Sequence, residues 1–491
     1  MKIISVDTMR RLEQSAIASG VDGYRLMRRA GTAAAAIIER FSANRFRRAV
    51  FFCGGGNNAG DALVCAASLA MPHVIIPVRP LENLKGEAAE ALAEFRSRLN
   101  IVPLADFDFA PGDLVVDALL GIGFKGSEIR PDLADALKTM AEGGKPVVAF
   151  DLPSGLDGDS GVAAAGCVPA DLTITFGLPK QGLFLNDGPR YSGKITVAPI
   201  GVDENAAKGA LPYTFFTRRE LETLFPRPPI NAHKNSRGQV LLLCGSCDYP
   251  GAAVLASKGA LHFSGLVRLI SVQCPNMPLL PAALISRLLP PAPGGALPQN
   301  ALQCNSEALA ASRVLCAGCG WGSHVTPSLL KSVLNFPGTL VLDADALNLL
   351  SANPYLWNYR SDAILTPHPG EALRLAKGFG ITPCESREEF TARLATRLGA
   401  TVVLKGFHTC VGTPDGTVSV NSTGGPELAM AGSGDVLAGI IAALAAQMKD
   451  PADAAKVGVY LHGAAGDMGQ GAVIADDLPR LAALCAHTQT W

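Results

Sequence analysis

Short apolar runs alternate with helical patterns between residue 49 and about residue 200. Runs without alternating polar positions are typical of strands that helices cover on both faces, as in a parallel sheet. The runs that we predict to be strands are residues 49–53, 74–78, 114–117, 147–151 and 172–176. The pattern therefore predicts an α/β domain in the first part of the chain.

The same alternation begins again near residue 240, after a polar and proline-rich stretch over residues 202–235. We interpret that stretch as a linker. No internal repeat relates the two halves, so we expect two separate α/β domains, residues 1–212 and 213–491. The runs predicted to be strands in the second half are 240–244, 266–270, 314–316, 340–343, 363–365 and 401–404.

A predicted helix near the end of the chain opens on a turn of small residues, Gly432-Ser433-Gly434-Asp435. The glycines leave N–H groups bare at the positive end of the helix, which can hold an anion such as phosphate. A carboxylate beside a bound phosphate is suited to taking a proton from a hydroxyl that attacks the phosphorus. Asp435 is therefore a candidate base, and an ordinary N-terminal cap is the alternative. The apolar positions predicted to share one face of the helix are Val436, Leu437, Ile440, Ile441 and Leu444.

The composition narrows the class of protein. The chain has 491 residues, a formal net charge of −1 and 17% charged residues, so we expect no nucleic-acid partner. Apolar residues make up 48%, but no apolar run approaches the ~20 residues that cross a bilayer. The first residues include Asp7 and lack the apolar segment of a signal peptide. We therefore expect a cytoplasmic protein that contacts no membrane.

Twelve cysteines include two CxxC pairs, Cys244 with Cys247 and Cys316 with Cys319. The pairs are separated by far more than the ~15–20 residues that join the halves of compact zinc modules. A metal or redox role is therefore disfavoured. We interpret the other cysteines as small buried side chains in a reducing compartment.

Polar loops follow three of the predicted strands in the first half, at residues 54–61, 117–126 and 151–157. Because the chemistry of open α/β sheets gathers at the carboxyl ends of the strands, these loops are expected to lie together. They include oxygen ligands of the kind that a hard cation prefers, and Asp151 remains available for acid–base work. Ordinary turn chemistry is the alternative for any one loop. The proposed cation ligands are Asn58, Asp117 and Ser154.

These motifs resemble a known family. Gly-Asn-Asn-x-Gly-Asp, Val-Asp-Ala-Leu-x-Gly-x-Gly and Asp-x-Pro-Ser-Gly-Leu-Asp, which begin at residues 56, 116 and 151, are similar to those of NAD(P)H-hydrate epimerase domains. The second half resembles the ADP-dependent NAD(P)H-hydrate dehydratases. The resemblance implies an α/β protein in which a Rossmann-like parallel-sheet domain precedes a ribokinase-like α/β domain, as in bifunctional NAD(P)H-hydrate repair enzymes.

The resemblance implies an epimerase site in the first domain. Asp151 would contact the substrate and act in catalysis, and K⁺ would bind Asn58, Asp117 and Ser154. The family's usual Gly-Gly-Asp-Gly is here Ala59-Gly60-Asp61-Ala62, and each added Cβ could weaken this site. The residues implied to bind the hydrated cofactor are Asn57, Asn58, Ala59, Gly60, Asp61, Gly121, Ile122, Gly123, Phe124, Lys125, Gly126, Ser127 and Asp151.

The resemblance implies a dehydratase site in the second domain, with Asp435 as the catalytic base. Mg²⁺ would accompany ADP as the co-substrate, and Glu371 would orient the metal through water. The family prefers Gly-Pro-Gly-Leu-Gly where this chain has residues 318–322, so the second CxxC is a substitution within a turn. The implied substrate contacts are Ala253, Gly320, His368 and Asp435. The implied ADP contacts are Lys405, Gly406, Phe407, His408, Thr409, Gly425, Gly432, Ser433 and Gly434.

The implied function is repair of the hydrated cofactors NADHX and NADPHX. The first domain would interconvert their R and S epimers, and the second would dehydrate the S epimer at the expense of ADP. We also expect a homo-oligomer. Two alternatives remain open at this point: a small-molecule kinase of the ribokinase-like fold, and a dehydratase whose first domain is a catalytically silent binding module.

Overall fold

The computed structural model describes residues 1–42, 45–126, 128–469 and 471–487. The chain separates into two compact units, Met1–Leu211 and Pro212–Trp491. Among the described residues, no helix is long and apolar enough to span a membrane.

The first unit contains one six-stranded sheet, and every strand in it is parallel to its neighbours. Its strands are β1 (Arg48–Cys53), β2 (His73–Pro77), β3 (Asp113–Ala118), β4 (Val147–Phe150), β5 (Leu172–Phe176) and β6 (Lys194–Ala198). Its helices are α1 (Val6–Ala18), α2 (Gly23–Ser42), α3 (Asn57–Ser68), α4 (Glu87–Phe95), α5 (Pro131–Gly143) and α6 (Gly188–Tyr191). The predicted parallel sheet is confirmed, while β6 was not predicted.

Both faces of this sheet are covered, because successive side chains of a strand point to opposite faces. Phe51 packs into a core that includes residues of α2, α3 and α4. Phe52 packs on the opposite face, where Leu137 and Met140 of α5 contribute. The continuous apolar pattern of β1 follows from this double burial.

The second unit contains a ten-stranded mixed sheet in the order β10-β9-β8-β11-β12-β13-β14-β15-β16-β7. Its strands are β7 (Tyr213–Phe216), β8 (Gln239–Leu243), β9 (Leu266–Val272), β10 (Ile285–Leu289), β11 (Val314–Ala317), β12 (Thr339–Leu342), β13 (Ala363–Leu365), β14 (Thr401–Leu404), β15 (Cys410–Gly412) and β16 (Val418–Asn421). Its helices are α7 (Arg218–Leu224), α8 (Pro250–Phe263), α9 (Ser306–Ala311), α10 (Pro327–Leu334), α11 (Ala344–Ala352), α12 (Pro369–Phe379), α13 (Arg387–Leu398), α14 (Ser433–Ala445), α15 (Pro451–Gly469) and α16 (Leu478–His487). Only β15 runs antiparallel to its neighbours within the described residues.

The interpretation of residues 202–235 as a linker is wrong in its middle part. Both β7 and α7 lie in that stretch, and β7 pairs with β16, with Tyr213 opposite Val418. The segment is short and partly polar, so no apolar run marked it as a strand.

Helix α14 is apolar on all sides, whereas the sequence predicted burial of one face. Every residue from Val436 to Ala445 is buried. The helix is enclosed because α8 approaches it closely: a Cβ added at Gly439 would lie 2.1 Å from the carbonyl oxygen of Ala256. The small residues of both helices permit this approach, and it fixes the N-terminus of α14 at the carboxyl edge of the sheet.

Candidate active sites

The strand order of the first sheet indicates where a ligand binds. Strand β1 lies between β2 and β3, so the chain leaves β1 toward one side of the sheet and later returns to the other. Ligands of open α/β sheets bind in the crevice outside the carboxyl ends of the strands at such a switch point. Residues 54–58 follow β1 there, and Asp117 lies near the end of β3.

Asn58 spans the crevice with its amide group. Its Nδ2 donates to the carbonyl oxygens of Leu120, at 2.8 Å, and Phe150, at 3.2 Å. Its Oδ1 is buried and has no hydrogen-bond partner among the described residues. A buried acceptor without a partner is costly, so this oxygen is available to a ligand such as a cation.

Asp117 and Ser154 are hydrogen-bonded to each other near the Asn58 amide. Ser154 donates to the Asp117 carboxylate from its hydroxyl, at 2.6 Å, and from its main-chain N–H, at 2.8 Å. Full burial nevertheless raises the pKa of Asp117, since desolvation outweighs these hydrogen bonds. A bound cation would offset that penalty. The three oxygen ligands predicted from the sequence are therefore placed at neighbouring strand ends.

Asp151 forms a buried ion pair that the sequence did not predict. Lys180 Nζ lies 2.5 Å from Asp151 Oδ1, and the Lys180 side chain is 1% exposed. Thr175 Oγ1 also donates to this carboxylate oxygen, at 3.3 Å. The backbone of Asp151 has φ +64°, a left-handed conformation that is uncommon for residues other than glycine and that concentrates at functional sites. The pair therefore holds the carboxylate in one orientation.

Two further carboxyl groups interact electrostatically with this pair. Burial raises the pKa of Asp61 well above its usual value, and the negative charges of Asp151 and Glu13 raise it further. Burial also raises the pKa of Glu13. Lys180 and, at Glu13, Arg10 supply fewer positive charges than three ionised carboxylates would carry, so the cluster favours retaining a proton. Sequence reasoning missed Glu13 as well as Lys180.

Of the other residues predicted to line the epimerase site, some are exposed at the surface and some are buried in the core. Asn57 is exposed, whereas Gly60 packs so closely on α2 that an added Cβ would lie 2.5 Å from Met27 Sδ. Ala59 and Ala62 are fully buried in the apolar core. Their methyl groups therefore pack against neighbouring elements, and weakening of the site by these alanines stays a prediction.

The loop after β3 is partly exposed and lies against Asn58. A Cβ added at Gly121 would come 3.5 Å from Asn58 Cγ, and Arg10 Nη2 donates to the carbonyl oxygen of Ile122 at 2.9 Å. Phe124 N–H closes a turn on Gly121, at 3.1 Å. Exposure increases along the loop at Gly123, Lys125 and Gly126, while Ser127 lies outside the described residues.

A second group of charged side chains lies at the carboxyl edge of the larger sheet. Lys405, just after β14, places Nζ 2.7 Å from Asp343 Oδ1 and 4.0 Å from Glu371 Oε2. Thr366 Oγ1 donates to the same Asp343 oxygen at 2.8 Å. Lys405, a predicted ADP contact, is therefore shared by two buried carboxylates. Ala344, which follows Asp343, has φ +48°, so the backbone is strained here too.

Asp435 lies in the first turn of α14, close to this group. Burial raises the pKa of its carboxyl group to about 7, and the negative charge of Asp343 adds to the shift. The charge of Lys405 and a hydrogen bond from Cys319 act in the opposite direction. A carboxyl group with a pKa near neutral pH is suited to general acid–base catalysis.

Glycines at the N-terminus of α14 leave the main chain without side chains at their positions. Gly432 has φ +84°, and a Cβ added at Gly434 would lie 3.3 Å from Lys405 Nζ. Ser433 is buried and its hydroxyl contacts His462 Nε2 at 3.1 Å. Burial lowers the pKa of His462 to about 4, so this histidine is neutral at pH 7. Sequence reasoning missed His462, whose signal was a histidine in the middle of a helix that is buried over most of its length.

The other predicted substrate contacts of the second unit differ in exposure. His368 is half exposed at the start of α12, where its Nδ1 accepts from Gly370 N–H at 3.0 Å. Gly320 has φ +63°, and an added Cβ would lie 2.6 Å from Ala252 Cβ. Ala253 is fully buried, and its contact with substrate stays a prediction.

The residues of the predicted ADP loop after β14 also differ in exposure. Gly406 and Phe407 are exposed, and Thr409 Oγ1 donates to the Gly406 carbonyl at 2.7 Å. His408 is buried, and the centroid of its ring lies 6.5 Å from that of Phe215, so its contact with a nucleotide stays a prediction. Gly425 is partly exposed ahead of α14.

Most of the cysteines outside the CxxC pairs are buried, as predicted, whereas Cys304 is exposed and Cys274 forms a disulfide. Cys247 and Cys274 form a disulfide with a Cα–Cα distance of 5.3 Å. Cys244, Cys316 and Cys319 are buried together. The first CxxC pair is therefore divided: Cys247 forms the disulfide, while Cys244 joins both cysteines of the second pair. Adjacent strands bring together cysteines that are distant in sequence.

Comparisons with known proteins agree with the fold of both units and identify their families. Residues 240–483 match the family described as NAD(P)H-hydrate dehydratase, and residues 23–182 match the YjeF-related protein N-terminus. A ribokinase-like superfamily protein from Enterococcus faecalis has a TM-score of 0.50 and 24% identity, and the match covers 56% of this chain and 96% of that one. This likeness supports the predicted ribokinase-like fold of the second unit.

Two relatives extend over nearly the whole chain. The bifunctional NAD(P)H-hydrate repair enzyme Nnr of Moorella thermoacetica is 37% identical over 92% of this chain and 90% of its own length. The protein of the same name from Coxiella burnetii is 34% identical over 96% of each chain. The chain therefore belongs to the family of bifunctional NAD(P)H-hydrate repair enzymes.

Proposed function

We propose that the chain interconverts the R and S epimers of NADHX and NADPHX and dehydrates the S epimers to NADH and NADPH. Dehydration converts ADP to AMP and phosphate. We assign epimerisation to residues 1–212 and dehydration to residues 213–491. The observation that carries the proposal is the placement of Asp435, with its pKa near 7, at the glycine-rich N-terminus of α14.

In the dehydration step, Asp435 accepts the proton of the C6 hydroxyl. The freed oxygen attacks the terminal phosphorus of ADP, and AMP leaves. The ring nitrogen then expels the phosphate with its C–O electron pair, and loss of a proton from the adjacent ring carbon restores the double bond. Main-chain N–H groups at residues 432–434 stabilise charge on the transferred phosphoryl group.

The carboxylates near Lys405 fit Mg²⁺, which prefers carboxylate oxygens and substrate phosphates. Asp343 and Glu371 would hold the ion, which when bound neutralises phosphate charge. Burial raises the pKa of Glu371, so a cation here would stabilise its charged form. Lys405 orients Asp343 and contributes its own positive charge beside Gly434.

In the epimerisation step, Asp151 transfers the proton as the C6 hydroxyl leaves and returns. Lys180 holds the carboxylate in place, and the neighbouring Asp61 can retain a proton. Asn58, Asp117 and Ser154 would hold K⁺, for which the buried Asn58 Oδ1 supplies an acceptor that has no hydrogen-bond partner in the described part of the chain. When bound, K⁺ supplies positive charge at the substrate crevice.

The overall function is tested with purified protein and NADHX, with and without ADP. We expect NADH and AMP to form in equal amounts with ADP, and no NADH without it. If ATP were the preferred nucleotide and NADHX remained unchanged, the small-molecule kinase alternative would replace this proposal.

The pKa of Asp435 predicts how dehydration depends on pH. The base is active only when deprotonated, so kcat/KM should rise with pH through about 7 and then level off. Initial rates of ADP-driven NADH formation measure this profile. Asp343→Asn removes a neighbouring negative charge and should move the midpoint to lower pH. A midpoint that stays fixed in this variant would instead reflect ionisation of ADP.

Replacing K⁺ with Na⁺ or Li⁺ should slow epimerisation and leave dehydration of the S epimer unchanged. In Asn58→Ala, the K⁺ concentration for half-maximal activation should rise by at least about tenfold. Asn57→Ala is the matched control, since Asn57 is adjacent in sequence but exposed. Equal K⁺ requirements in both variants would contradict the assigned ion site.

A further inference from the structure

Three cysteines from separate parts of the second unit meet near Asp435. Cys244 follows β8, Cys316 lies in β11, and Cys319 lies in the turn after β11. Their sulfur atoms all lie within 4.8 Å of one another, and none of the three residues is exposed to solvent. The site combines ligands that are close in space although Cys244 is far from the other two in sequence.

The backbone around the sulfur atoms is fixed by regular structure. Strands β8 and β11 are paired, with Leu243 opposite Ala317. Gly245 N–H donates to the carbonyl oxygen of Cys319 at 2.8 Å. The fully buried Trp321 donates from Nε1 to the carbonyl oxygen of Leu243 at 2.8 Å. The sulfur atoms are therefore held by rigid elements, as a preorganised binding site requires.

Two of the thiols also make long contacts with protein oxygen atoms. Cys244 Sγ lies 3.9 Å from the Cys316 carbonyl oxygen, and Cys319 Sγ lies 3.8 Å from Asp343 Oδ2. Three soft ligands of this kind favour thiophilic ions such as Zn²⁺ and Cu⁺. In a tetrahedral zinc site with Zn–S distances of about 2.3 Å, sulfur atoms lie about 3.8 Å apart. Small side-chain rotations would bring the three sulfur atoms to that spacing.

A second set of ligands adjoins the first through Cys319. The Cys319 sulfur and a carboxylate oxygen each from Asp343 and Asp435 lie within 4.8 Å of one another. We propose that Cys244, Cys316 and Cys319 bind one thiophilic metal ion, with a carboxylate of Asp343 or Asp435 available as a fourth ligand. Asp435 is only partly buried, so an ion can enter along it.

The proposed site is tested by metal binding to the full-length protein, so the result does not depend on the proposed function. Reduced, chelator-treated protein is titrated under argon with Zn²⁺ and, separately, with Cu⁺, and bound metal is measured after desalting. We expect one ion per chain. Retention of Zn²⁺ would indicate a site completed by a carboxylate, whereas retention of Cu⁺ alone would indicate three sulfur ligands. Absence of both ions would overturn the proposal.

The ligands are tested with Cys244→Ala combined with Cys316→Ala. This variant should lose affinity by at least about 100-fold, because it lacks two direct ligands. Cys410→Ala is the matched control, since Cys410 is a buried thiol of the same unit outside the cluster. The double variant retains Cys247 and Cys274, so unchanged binding would place the ion at that pair instead and contradict the proposal.

A spectroscopic measurement on the unaltered protein avoids the risk that the variant fails to fold. Co²⁺ bound by thiolates absorbs strongly in the near ultraviolet through sulfur-to-metal charge transfer, whereas Co²⁺ bound by carboxylates does not. We expect this absorption to saturate at one Co²⁺ per chain and to disappear when Zn²⁺ is added. Binding of Co²⁺ without the absorption would exclude the cysteines as ligands.

Discussion

Asp435→Asn should reduce ADP-driven dehydration by roughly two to four orders of magnitude, because the amide cannot accept the hydroxyl proton. Binding of ADP should persist, since the main-chain groups at residues 432–434 are unchanged. Single-turnover formation of NADH from S-NADHX measures the chemical step, and calorimetric titration measures ADP binding. Turnover close to that of the wild type would remove Asp435 from the catalytic role.

Stability distinguishes this loss from unfolding. Burial raises the pKa of Asp435 in the folded protein. At pH values above the pKa of a free aspartate, the folded state must either hold a proton that the unfolded state releases or carry a buried negative charge, and both destabilise the fold. The neutral asparagine should therefore leave the melting temperature unchanged or higher at neutral pH. Asp476→Asn removes a partly exposed carboxylate that pairs with Lys258 on the surface, and it should leave dehydration near the wild-type rate.

Asp151→Asn should reduce enzymatic epimerisation to near the spontaneous rate, while dehydration of the S epimer proceeds unchanged. Asparagine is the better substitution here than alanine, because asparagine tolerates the left-handed backbone at φ +64°. A mixture of both epimers would then give rapid NADH formation from the S form, followed by a slow phase. The amplitude and initial rate of each phase are measured with excess ADP.

Removal of the Asp151 charge leaves Lys180 buried without its ion-pair partner, which is destabilising. The double substitution Asp151→Asn with Lys180→Met removes both charges and serves as the folding control. The slow phase should persist in this double variant as well. If wild type and Asp151→Asn consume the R epimer at equal rates, the first unit acts as a binding module and not as an epimerase.

The fold was predictable where burial is complete along a strand. Strands β1, β8 and β14 are continuous apolar runs in the sequence and are buried almost throughout. Strand β10 is exposed over its first three residues, so it carries no apolar run to detect. Pairing within the sheet, and not residue preference, makes that segment a strand.

The sites were predictable only where chemistry is local in sequence. The glycine-rich turn before α14 and the polar loops after β1 and β3 each form one continuous motif. Lys180 lies 29 positions from its partner Asp151, and their pairing depends on tertiary structure. A lysine inside an otherwise apolar and glycine-rich segment was the available signal. The cysteine cluster depends on β8 and β11 being neighbours, and strand order is not encoded in any single segment.

The position of β7 at the sheet edge matters for separating the two activities by truncation. The dehydratase family match begins at residue 240, after both β7 and α7. A chain shortened to that point would leave the backbone of β16 without its parallel partner. It would also lose the buried side chains of Phe215 and Phe216 and expose to water the residues that pack against them. Bare strand edges promote intermolecular pairing. An independently stable dehydratase therefore needs to begin ahead of Tyr213.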